Sequence, residues 1–275
     1  MLKKLLKHDL KAIFRFWWIA VIISASLSVA GGLAELMDSY DGWVPEVIRS
    51  VIGSTIFLSY CSYIALMLLT MVLLFIRFYK NFFSDEGYLT FTLPVRRDEL
   101  LKSKVISGIL AMTASGAVCG VNSLLMSCIG RSADPKNGGF FAPVVEYLVR
   151  GVRTEGIWFW VSLVEYLLLA LALLSLAVMF LYFCITFGSM IVKKGKILVS
   201  IAIFYGASSI ATAVTLFLLV FGAIGTMVSL TPEVMATTGL ISALFRGGLI
   251  CYLSMLFWLL YAVQYWMLHK KLNLA

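Results

Sequence analysis

The sequence predicts an all-α integral membrane protein with six transmembrane helices, an N-terminal amphipathic interface helix and both termini cytoplasmic. Three observations predict it. Of 275 residues, 61% are hydrophobic and only 13% charged, against about 45–50% and about 25% in soluble domains. A soluble chain of this length has too little interior for that much apolar surface, so part of it must face lipid. The charges are also segregated: among 22 Lys and Arg and 14 Asp and Glu, Glu165 alone falls inside the apolar runs. Finally, the basic residues are concentrated in every second connection. The same composition excludes a disordered chain, a collagen-like repeat and a disulfide scaffold.

Crossing about 30 Å of hydrocarbon takes about 20 apolar residues. Runs at 16–34, 51–76, 105–130, 157–180, 197–222 and 247–268 meet that requirement. Lys3, Lys4, Lys7, Lys11 and Arg15 precede the first run. Arg77, Lys80, Arg96, Arg97, Lys102 and Lys104 join the second to the third. Lys193, Lys194 and Lys196 follow the fourth, and Lys270 and Lys271 the sixth. Sixteen basic residues thus lie on one side, against six on the other: Arg49, Arg131, Lys136, Arg150, Arg153 and Arg246. Basic loops stay cytoplasmic, which puts both termini inside. The net charge of +8 is mainly this topology signal, and nucleic acid is not a partner it calls for. A rival reading takes the start as a signal peptide cleaved after Ser28-Val29-Ala30. Five further spans would still hold that product in the membrane. The stretch from Ile157 to Val192 exceeds one crossing; we take it as a single span whose inner end extends or kinks near Gly188-Ser189.

Several segments are neither span nor simple loop. Leu2, Leu5, Leu6, Leu10, Ile13 and Phe14 recur at helical spacing opposite the N-terminal lysines, so residues 1–15 form an interface helix. The stretch 77–104, RFYKNFFSDEGYLTFTLPVRRDELLKSK, is rich in aromatics that need something to pack on. Asp85-Glu86-Gly87 breaks one helix. Pro94 opens the next, with Asp98 and Glu99 in its first turn, where negative charge is favoured. This helical elbow suits either docking into another protein or folding back on the bilayer. Outside, in segments 131–156 and 223–246, Pro143–Arg150 and Thr231–Thr238 read as short surface or re-entrant helices, or as ordinary loops. The whole of 1–275 forms one transmembrane domain.

Enzymatic signatures are missing. The chain has no GxxxxGK[ST] loop, HExxH, GxSxG elbow or clustered Cys/His ligands, so we expect no catalytic residue and no metal site. His8 and His269 sit among terminal lysines. Cys61, Cys119, Cys128, Cys184 and Cys251 lie in apolar runs without CxxC spacing, as small buried hydrophobes rather than a disulfide framework. Glu165 is the expensive residue, a carboxyl inside a span: either part of a translocation path, or paired with Arg153 or another polar group for structural reasons. Asn122 and Gln264 are further candidates for that path, with inter-helical hydrogen bonding as the plainer reading. Gly116-xxx-Gly120 permits close helix approach in the third span.

The run Asp85-Glu86-Gly87-Tyr88-Leu89-Thr90-Phe91-Thr92-Leu93-Pro94-Val95, with Glu99-Leu100-Leu101 and Lys104 behind it, resembles the cytoplasmic segment of bacterial ATP-binding-cassette permeases of the type-2 exporter family. The opening Leu5-Leu6-Lys7-His8-Asp9-Leu10-Lys11-Ala12 and the ending Lys270-Lys271-Leu272-Asn273-Leu274 are similar to that family's ends. The resemblance implies a six-helix permease half in the cytoplasmic membrane. Its 77–104 loop would carry a coupling helix docked into a separate ATPase subunit, where ATP and Mg would be bound; this chain itself would hold no cofactor. Phe82, Phe83, Asp85, Glu86, Gly87, Tyr88, Leu89, Thr90, Leu93 and Pro94 would sit at or near that contact, and a second permease chain, identical or related, would complete the transporter. The family also has short outer helices between spans five and six, matched here to Thr231–Phe245, whereas the outer segment Arg131–Gly156 has no counterpart. The implied activity is export of an amphipathic or hydrophobic substrate. The alternatives are a non-transporting accessory or sensor subunit, and an ion-driven carrier, for which one intramembrane carboxyl and no internal repeat are poor credentials.

Overall fold

A computed structural model describes residues 2–38, 45–83, 97–132, 141–191, 197–206, 208–209 and 235–270. Regular structure among the described residues is entirely helical: α1 (Leu2–Asp38), α2 (Glu46–Phe83), α3 (Arg97–Gly130), α4 (Ala142–Glu155), α5 (Ile157–Ile191), α6 (Ile197–Gly206) and α7 (Met235–Lys270). Five of them, α1, α2, α3, α5 and α7, are long and apolar enough to cross a membrane. Large apolar side chains on their outer faces, such as Ile22, Phe57, Leu68, Leu167 and Met255, are exposed. That is the expected dress of helices solvated by lipid.

Local chemistry explains the helix ends. The Pro45 carbonyl accepts from the Ile48 and Arg49 amides, and Glu46 places negative charge in the first turn of α2. Phe141 caps α4 through its carbonyl, with Pro143 in the first turn, where its missing N–H costs nothing. Gly156 ends α4 at φ 60°, its amide bonded to the Val152 carbonyl. A side chain would be strained in that left-handed conformation.

Several expectations need correcting. The N-terminal amphipathic stretch and the first span are one uninterrupted helix of 37 residues, with no turn between them. The inner end of the fourth run is no correction: α5 extends through Gly188-Ser189 to Ile191 as one helix, as expected. Met235–Thr238 is the first turn of α7, not part of a separate short helix; with no proline after Pro232, nothing halts the helix before the span. The fifth run, 197–222, is described as helix α6 only to Gly206; Thr231–Glu233 and Lys193, Lys194 and Lys196 lie outside the described residues.

The helices group into two compact units. One holds α1 beyond Leu5, α2 up to Leu74, α3 from Leu110, and α4. Here α1 and α3 run parallel, because Trp17 Nε1 donates to Ser115 Oγ (2.8 Å) and Asn122 Nδ2 to Ser24 Oγ (3.1 Å) at one sequence offset of 98 residues. Helix α2 is antiparallel to both. Tyr63 reaches Ser28 on α1 and Met126 on α3, while Thr70 shares a hydrogen bond with Ser115 (2.8 Å). The buried line Ser24, Ser28, Ser59, Thr70, Ser115 and Asn122 forms a polar seam. Close approach comes from Gly31, Gly32 and Gly130. A Cβ on Gly32 would lie 2.9 Å from Ile129 Cβ and 3.0 Å from the Met126 carbonyl. Gly120 of the expected GxxxG pair instead faces open space, so that motif does not serve packing within the chain at its second glycine.

The other unit holds the end of α2 from Phe75, the start of α3 to Ile109, and α5, α6 and α7. Glu165 pairs with Arg246, and Gln264 Nε2 donates to Thr186 Oγ1 (3.3 Å), so α5 and α7 are parallel. The two links stand 21 residues apart on α5, about 31 Å at 1.5 Å per residue. That is close to the hydrocarbon thickness of a bilayer, about 30 Å.

Candidate functional site

The 77–104 elbow is anchored by both legs. Phe78, almost wholly buried, stacks on Tyr182 of α5 with ring centroids 4.1 Å apart and planes 11° from parallel. Phe82 packs on Phe78 at 4.8 Å, and Phe83 lies 6.3 Å from it. On the second leg, Leu100, Leu101, Ser103, Lys104, Val105 and Ser107 are all buried. Tyr182 Oη donates to the Lys104 carbonyl (3.3 Å). Gly108 makes room for the same ring: a Cβ there would lie 2.6 Å from Tyr182 Oη and 2.7 Å from Val178 Cγ1. One aromatic side chain of α5 therefore touches both legs of the elbow.

Phe82 is thus a footing residue, turned inward onto Phe78, and Phe83 is half-buried beside it. Of the residues expected at a partner contact, Asp85, Glu86, Gly87, Tyr88, Leu89, Thr90, Leu93 and Pro94 lie outside the described residues. Sequence spacing did not single out Tyr182 or Gly108. Their role depends on α5 lying against the elbow, and no local pattern signals that.

The chain matches no family model, no curated protein and no solved structure.

Glu165 is the second candidate. Its Oε2 accepts from Arg246 Nε at 2.7 Å, with the two side chains 17% and 16% exposed. The guanidinium also lies over the Tyr166 ring, 5.1 Å from its centroid, a cation–π arrangement. The partner is therefore Arg246, not Arg153, which stands exposed on α4. Arg246 belongs to helix α7 and not to an outer loop. An arginine is suited to this place: its fixed charge holds the carboxylate, and its long apolar stem spans the inter-helix gap. Glu165 and Gln264 do not meet; they mark opposite ends of the α5–α7 pair. Asn122 belongs to the polar seam, bonded to Ser24. Each candidate for a translocation path thus has a partner on a neighbouring helix of its own unit.

Among the described residues no group of His, Cys, Asp and Glu is placed to hold a metal. The cysteines are free: Cys128 and Cys184 are buried, Cys61 and Cys119 half-buried, and Cys251 exposed on α7 rather than buried as expected. Glu35, one residue beyond the first apolar run, escaped the sequence reading. Its carboxylate covers Gly130, so a Cβ there would collide with it.

Proposed function

We propose that the chain is the membrane-spanning subunit of a type-2 ATP-binding-cassette exporter, moving an amphipathic or hydrophobic substrate outward across the cytoplasmic membrane. It has six spans and cytoplasmic termini, pairs with a second permease chain, and docks a separate ATPase subunit on the 77–104 loop. The observation that carries the proposal is the double anchorage of that loop. A lever transmits force only if its footing is stiff, and Phe78, Phe82, Tyr182 and the buried start of α3 supply such a footing. ATP-driven closure of the partner subunits pushes the elbow. The push reaches α3 directly and α5 through Tyr182, biasing a two-state change of access.

Six spans are favoured by the parallel run of α5 and α7. Two parallel crossings in one chain require a return crossing between them, and 197–222 is the apolar run available for it. The end of α2, the start of α3 and the end of α7 then share one side, with Arg77, Lys80, Lys102 and Lys104, in keeping with the positive-inside rule. An ion-driven carrier is disfavoured because the one carboxyl within the expected spans is already neutralised by Arg246.

The tagged chain, extracted in mild detergent, is expected to bring with it a soluble subunit that hydrolyses ATP. Replacing Tyr88 and Leu89 with Asp is expected to abolish that association and ATP-driven transport while membrane insertion persists. Undiminished association and transport in the double variant would remove the coupling role.

A further inference from the structure

Helix α4, Ala142–Glu155, has 14 residues, about 21 Å in length, too short to cross a bilayer. Its faces differ sharply. At about 100° per residue, Glu146, Arg150 and Arg153 fall within an arc of about 60°, while Val144, Val145, Leu148, Val149 and Val152 occupy about 140° elsewhere on the surface, an arc that only Glu155, the last residue of the helix, interrupts. Arg150 and Glu146 pair at 2.6 Å on the charged face. On the apolar face the protein covers only one edge. Val144 and Leu148 are half-buried, whereas Val145 is 55% exposed, Val149 44% and Val152 41%.

The position of α4 along the chain decides what covers the rest. Gly156 alone separates α4 from Ile157, the first residue of α5, which is long and apolar enough to span. Near the start of α5, Trp158 and Trp160 are exposed, and tryptophan is of the kind that settles at a membrane–water boundary. One residue of chain covers less than about 4 Å, so the C-terminal end of α4 is held at the bilayer edge. Standing upright into water, the helix would leave three valines wet; lying flat, it immerses them among acyl chains and keeps Arg150 and Arg153 at headgroup level. Gly156, at φ 60°, ends α4 in a conformation that suits glycine.

We infer that α4 is an amphipathic interface helix that lies in the headgroup plane of the bilayer, with Val145, Val149 and Val152 facing the acyl chains and Glu146, Arg150 and Arg153 facing water. Such a helix fixes the depth at which α5 enters the membrane. The inference needs only that α5 spans, not that the chain is a permease.

The test uses the full chain in phospholipid vesicles, with single cysteines introduced in place of each residue from Val145 to Arg153. A water-soluble maleimide is present on both sides of the membrane, and the reaction of the native cysteines is subtracted. The thiolate reacts in water, so cysteines at 146, 150 and 153 are expected to react about tenfold faster than those at 145, 149 and 152. A photoreactive phospholipid with its label on the acyl chain is expected to leave adducts on the Val145–Val152 segment of the unmodified chain. Uniformly fast reaction along the helix would overturn the inference in favour of an upright helix in water. Protection of the valine face without lipid adducts would overturn it in favour of a protein cover.

Discussion

The α1–α2–α3 unit and the α5–α7 pair meet one problem with different side chains. Between helices in lipid there is no hydrophobic drive to associate, because the acyl chains are as apolar as leucine; packing, hydrogen bonds and close approach must serve instead. In the α1–α2–α3 unit the backbones come together over Gly31, Gly32 and Gly130, and short hydroxyls bond across the seam. In the α5–α7 pair, the glycines beside Arg246, Gly247 and Gly248, face open space and bring nothing closer. That pair relies on long side chains reaching across: an ion pair toward one end and an amide–hydroxyl bond toward the other. Small residues make room for close approach, whereas long polar ones add ties at two points to the packing of α5 on α7.

The comparison is most sharply broken at the ion pair. Replacing Arg246 with Ala leaves the part-buried Glu165 without its counter-charge, and a loss of about 3 kcal/mol is expected, the lower end for a broken buried pair. The double variant Glu165→Gln, Arg246→Gln is expected to recover most of that loss, read by thermal unfolding in a fixed detergent. A double variant as unstable as Arg246→Ala would show that the charge is not what matters.

In the other unit, the glycines are the sensitive positions. Gly32→Ala drives a methyl group against the Met126 carbonyl and Ile129, which cannot easily yield. A loss of about 1–3 kcal/mol is expected, as for other overpacked interiors. Gly120→Ala, with nothing within 4 Å, is expected to be neutral or slightly stabilising under the same measurement. Equal effects at the two glycines would contradict the division of labour described above.

The smallest change is expected at the polar seam. Removing one inter-helical bond by Asn122→Leu is expected to cost about 0.6 kcal/mol, the usual worth of such bonds in membrane helices. A loss comparable to that of Arg246→Ala would mean that the seam, rather than glycine contact, holds this unit together.

Much of the molecule was legible in the sequence because lipid imposes a one-dimensional rule. Every backbone group in hydrocarbon must be satisfied within its own helix, so apolar run length alone announces α1, α2, α3, α5 and α7. Glu165 was equally legible, as a charge where charges are costly. Its partner was not. Arg246 stands 81 positions away, beside Gly247-Gly248 in what reads as an outer loop, and only the packing of α7 along α5 brings it within 2.7 Å. The Gly116-xxx-Gly120 pattern was visible, but spacing says which residues share a helix face and not which face meets a neighbour, and Gly120 faces open space. Gly31 and Gly32 carry the contact instead, and Tyr182 joins both legs of the elbow from 78 residues beyond Lys104. Composition and periodicity determined that the chain is helical and lives in a membrane. Which helices touch, in which direction, and whose charge meets whose were decided by tertiary packing, because contacts between distant positions leave no periodic trace in a single chain.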